Sequence, residues 1–147
     1  MKDQLFSESK NLTLVHTTDN KELRISHNPI RLIPHSVSCN KYGFSEWVEG
    51  KNKFIISIKD ESKILNLDAH GNFYDFGERT DSPINRGKAV YKYAIDNDVD
   101  IVKVKNVPAI GTEYCLLNLS CVKEYYTKKK VWDKEKKIYV DKKVVIG

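Results

Sequence analysis

One segment of this chain carries both a helix start signal and helical spacing. Ser82-Pro83 reads as an N-cap followed by proline at the first helical position. Ile84, Lys88, Tyr91 and Ile95 then follow at helical spacing, with Ala94 beside them. The pattern predicts a helix over 83–97. Every other patterned stretch reads as strand. Residues 11–16 are rich in apolar and β-branched side chains, and 54–59 and 64–67 follow as two more strands. A turn signal stands at 69–72, and 101–105 alternates as a half-buried strand. A proline turn over 106–111 leads to a strand at 113–118. Two final strands are expected at 122–127 and 138–146, linked by 128–137. Residues 17–43 are polar, contain Pro29 and Pro34, and read as a long irregular connection. One helix among many strands gives the α+β class.

The length of 147 residues fits a single domain, 1–147, with room for a core that needs no metal or disulfide. No apolar run approaches the roughly 18 to 20 residues that span a bilayer. The first residues lack the apolar stretch of a secretory signal. Three cysteines, an odd number, suit a reducing compartment, so a cytoplasmic, membrane-free protein is expected. The net charge of +5 is concentrated at one end. Residues 121–147 hold nine lysines against Glu124, Asp133, Glu135 and Asp141, and the rest of the chain is balanced. The body is therefore not a polyanion-binding surface.

Three features carry candidate chemistry. His16-Thr17-Thr18 ends the first strand. Lys41-Tyr42-Gly43-Phe44-Ser45-Glu46-Trp47 clusters aromatics around a glycine. Gly111-Thr112-Glu113-Tyr114 sets Glu113 at a strand start. In order and spacing these resemble the ADP-ribosyltransferase superfamily, in its diphtheria-toxin and poly(ADP-ribose) polymerase branch with the H-Y-E triad. Leu14-Val15-His16-Thr17-Thr18 resembles that family's first strand, although Thr17 stands where the family has glycine. Thr112-Glu113-Tyr114-Cys115-Leu116-Leu117-Asn118 with Val122-Lys123 resembles its glutamate strand. Residues 54–68 and 98–102 fit the segments between, and the length resembles compact phage transferases of this fold.

The resemblance implies a compact, mostly antiparallel split sheet with one main helix and a C-terminal β-hairpin. It implies NAD+ as substrate, no metal, and transfer of ADP-ribose to a protein or nucleic-acid acceptor by a monomer acting as a toxin or a phage counter-defence factor. It assigns His16 to a ribose hydroxyl with Thr18 assisting, the Thr17 backbone to the carboxamide, and Tyr42 or Phe44 to stacking on nicotinamide. Glu113 would face the oxocarbenium-like ribose cation and orient or deprotonate the acceptor. The strands of His16 and Glu113 should then be neighbours in space. Gly111 leaves no second carboxylate two residues before Glu113, which argues against an arginine acceptor.

Each residue also has a plainer reading. His16 is then a half-buried histidine bonded to a carbonyl, Glu113 a solvent-facing strand residue, and Tyr42, Phe44 and Trp47 packing aromatics. Tyr74 and Phe76 form a second candidate stacking platform. His27, His35 and Cys39 lack the spacing of a zinc site. A non-catalytic binding or inhibitor protein of similar fold is the alternative function. Another is a nucleic-acid-binding module, because Tyr125, Tyr126, Trp132 and Tyr139 interleave with the C-terminal lysines. The same segment also reads as a solvated hairpin protecting a sheet edge, or as a dock for an acidic protein.

Overall fold

The computed structural model describes residues 5–18, 22–25, 32–42, 52–108 and 110–145. Among them are nine strands and one α-helix: β1 (Phe6–Glu8), β2 (Thr13–Thr18), β3 (Val37–Lys41), β4 (Asn52–Ile58), β5 (Lys63–Asp68), α1 (Pro83–Asp96), β6 (Ile101–Val107), β7 (Gly111–Leu116), β8 (Val122–Asp133) and β9 (Ile138–Val145). The strands lie in the order β1-β5-β6-β7-β3-β2-β4-β8-β9, all antiparallel except β5 with β6. The fold is α+β, mostly antiparallel, and ends in a hairpin.

The helix forms where its signals stand. The Ser82 hydroxyl accepts from the Asn85 amide at 3.2 Å, and Pro83 fills the first turn, where no amide donor is needed. Asn97 caps the other end, and Asp98, at φ 56°, takes the left-handed turn that ends the helix. Arg86, Gly87, Val90 and Ala94 form its buried face. Because α1 links two parallel neighbours, it lies against that sheet face, where Val90 and Ala94 meet Leu65, Leu67, Val102 and Cys115.

The period of two in the strands makes a core on each face. One cross-strand row runs Ile64, Ile101, Leu116 and Val37, with Leu14, Phe54 and Tyr114 in the same cluster. The next row, Leu65, Val102, Cys115 and Ser38, faces α1. Ser38 and Glu113 therefore belong to the helix-covered face, and His16, opposite Phe54, to the other.

Three readings need correction. The supposed irregular connection 17–43 contains β3, which lies in the middle of the sheet. Val37 and Cys39 point into the core while Ser38 and Asn40 alternate with them, and the segment is too short for that period to stand out. The link 128–137 shrinks to a turn at 134–137, because β8 continues to Asp133 with β9 as its partner. The first strand is displaced by two residues and includes Thr17 and Thr18.

Candidate functional site

The ladder between β2 and β3 has two residue pairs, Leu14 with Lys41 and Val15 with Asn40. Beyond them the strands part. His16, Thr17 and Thr18 continue along β4, opposite Phe54, Lys53 and Asn52. Val37, Ser38 and Cys39 run along β7, opposite Leu116, Cys115 and Tyr114. The sheet thus forks, and two inward strand edges face each other without a ladder.

Backbone polar groups at such a fork need other partners when buried. The Ser38 carbonyl finds one in the His16 ring, with Nδ1 at 2.7 Å. A carbonyl oxygen only accepts, so Nδ1 carries the proton, and in the neutral ring Nε2 is the acceptor. The Ser38 hydroxyl donates to Glu113 Oε1, also at 2.7 Å. One residue of β3 therefore joins an imidazole on β2 to a carboxylate on β7. The strands of His16 and Glu113 are not side by side, as the sequence suggests; β3 lies between them.

Glu113 is 5% exposed, which overturns its reading as a solvent-facing residue. Gly111, at φ 86°, opens β7 two residues earlier, in a conformation that disfavours any side chain. Its turn aims the following strand so that Glu113 stands opposite Val104, beneath the helix layer. Burial and the neighbouring Glu113 carboxylate push the Cys115 thiol well above its ordinary range. Cys115 is therefore a protonated, apolar-like wall of the site and not a nucleophile. His16 is 9% exposed, and its bond to a carbonyl is what the plainer reading of it requires.

Thr17 and Thr18 are half-buried on the β2 arm of the fork, next to His16. Tyr42 is not with them. Its amide donates to the Thr13 carbonyl at 3.0 Å, four residues along β3 from Ser38, and its side chain is exposed. Phe44, Trp47 and His27 lie outside the described residues. Tyr74 and Phe76 sit near the start of α1, where the buried Arg86 guanidinium donates to both their carbonyls. A cavity of about 380 Å³ opens there, lined by Leu32, Phe73, Tyr74, Pro83 and Arg86. The His35 ring lies 5.2 Å from that of Tyr91, and the Cys39 thiol is buried.

Ser38 is the site residue that sequence reasoning missed. The alternation Ser36-Val37-Ser38-Cys39 was the available signal, hidden inside a segment with a proline at each of two positions. Comparison of the chain with protein-family models, with curated proteins and with solved structures returns no match.

Proposed function

We propose that the chain cleaves NAD+ at the bond between nicotinamide and ribose and transfers ADP-ribose to a macromolecule. The observation that carries this reading is the connected set His16, Ser38 and Glu113 at the fork of the sheet. Cleavage breaks the C–N glycosidic bond. The bonding pair leaves with nicotinamide, and positive charge develops on the ribose. A carboxylate beside that carbon stabilises the cation, as in glycosidases. Burial of Glu113 keeps water from screening its charge. Ser38 fixes one carboxylate oxygen, so the second is oriented for the ribose 2′-hydroxyl or for the proton of the acceptor nucleophile. Proton loss to Glu113 as the acceptor bonds to the ribose carbon balances the reaction. His16, on the other face, holds the Ser38 carbonyl through Nδ1 and so fixes β3 beside Glu113. Thr17 and Thr18 continue the same edge.

The test is release of free nicotinamide from NAD+, with protein and nucleic-acid acceptors supplied in turn. Release above the spontaneous rate supports the reading. No release with any acceptor, from protein shown to be folded by a cooperative melt, overturns it and leaves the non-catalytic binding protein.

A further inference from the structure

Beyond Thr127, β8 leaves the sheet. Its pairing with β4 ends at Phe54 opposite Thr127, while its pairing with β9 continues to Asp133 opposite Ile138. Among the described residues, 128–133 and 138–143 thus form a two-stranded arm about 20 Å long at the usual rise per residue.

Three observations give this arm a chemistry. First, its register sets lysine against lysine, Lys128 opposite Lys143 and Lys129 opposite Lys142. Like charges directly opposite each other destabilise a ribbon. Second, successive register positions alternate between faces, so one lysine pair belongs to each face. Third, Trp132 and Tyr139 are paired across the arm with ring centroids 5.1 Å apart, yet remain 50% and 66% exposed. The turn between the strands adds Lys134, Lys136 and Lys137.

Each strand of the arm has one open edge, so edge protection accounts for lysines on both but not for the exposed pair of aromatic rings. A folded acidic protein or a duplex can answer the lysines but offers no unstacked base to the exposed Trp132 and Tyr139 rings. A flexible polyanion follows both faces, and one with unstacked bases also meets exposed aromatic rings. We infer that the β8–β9 arm binds single-stranded nucleic acid, phosphates on the lysines and bases against Trp132 and Tyr139. This inference is independent of the NAD+ reading.

The experiment is fluorescence anisotropy with the full chain and a labelled 20-nucleotide oligothymidine. A duplex of equal length and a polyglutamate peptide of equal charge serve as competitors. Expected is binding at 50 mM salt that weakens steeply toward 200 mM, with the single strand competing best. The double variant Lys129→Gln with Lys142→Gln removes one pair. It should weaken binding about tenfold or more and lower the salt slope by about two. Lys88→Gln with Lys92→Gln, an equal charge change on the exposed side of α1, should leave affinity within about twofold. Trp132→Ala should weaken strand binding about tenfold, because stacking is lost while charge is kept. Three outcomes each overturn the inference: no binding of oligothymidine at 50 mM salt, equal loss in both double variants, or competition by duplex or polyglutamate as strong as by the strand. Matching melting curves exclude unfolding as the cause of any loss.

Discussion

Ser38 and Glu113, 75 residues apart in sequence, are joined by a 2.7 Å hydrogen bond from hydroxyl to carboxylate. The same serine accepts from His16 through its carbonyl. The bond therefore ties a buried negative charge to the edge where the sheet divides, and it can be tested from either end.

Glu113→Gln keeps an oxygen for Ser38 and removes the charge. If Glu113 stabilises a ribosyl cation, turnover falls by about 10²-fold or more, on the order of 3 kcal/mol. Affinity for NAD+ changes little, because the cation exists only near the transition state. Nicotinamide release and NAD+ titration read the two effects separately. A variant as active as the wild type excludes the assignment.

Ser38→Ala deletes the donor to the carboxylate and spares the carbonyl that holds His16. A hydrogen bond to a charged group is worth about 1.5–3 kcal/mol, so the urea midpoint drops. As a positioning residue, Ser38 should affect kcat by about tenfold with KM nearly constant. Ser38→Thr, which restores the hydroxyl, should recover most of that loss. Equal activity of the alanine and threonine variants contradicts a positioning role.

Alkaline pH should destabilise the fold through its thiols. Burial raises the Cys115 thiol well above its ordinary value of 9.0 and pushes Cys121 up to about 11. Both therefore keep their protons in the folded state at pH values where the unfolded chain has released them. The unfolded chain then binds fewer protons, so stability falls as pH rises from about 9. For Cys121 the fall continues to about 11. Urea midpoints measured from about pH 8 to 10.5 should decline, and Cys121→Ala should flatten the decline while lowering the whole curve. An unchanged slope in that variant counts against the linkage.

The Thr127 hydroxyl is buried opposite Phe54, with no hydrogen-bond partner among the described residues. Thr127→Val removes the unsatisfied group and nearly keeps the shape. Stability should rise by about 1 kcal/mol, or about 3 °C in Tm for a chain of this size. A lower Tm by calorimetry shows that the hydroxyl has a partner.

Local signals were legible where a residue acts on its own neighbourhood. Ser82 and Pro83 mark the helix start by their own chemistry, and Phe54, Ile56 and Val102 show the strand period. Legibility failed where an element exists because of its neighbours. β3 is five residues long and is held by β7 on one side and β2 on the other, so its sequence alone does not announce it. The arm segment 128–133 lacks an apolar pattern and is a strand through pairing with β9. The same divide runs through the site. His16 and Glu113 were singled out from short motifs, whereas Ser38 matters through contacts 22 and 75 residues away. The resemblance points to Tyr42 for stacking, but the register carries it toward Thr13, away from the fork.

The fork also governs how the molecule holds together. The half-sheet of β1, β5, β6, β7 and β3 shares only the short β2–β3 ladder with the half-sheet of β2, β4, β8 and β9 among the described residues, and below it Leu14, Phe54 and Ile56 pack with Val37, Ile101 and Leu116. A ladder so short would ordinarily mark a boundary between domains. Here the chain changes sides at every step from β1 to β5 and again between β7 and β8, so neither half is a continuous stretch of sequence. The halves are laced together like two edges of a shoe. A protease cut in any connection releases no self-sufficient fragment. With a shared core and an interleaved chain order, the two halves should unfold together in one step.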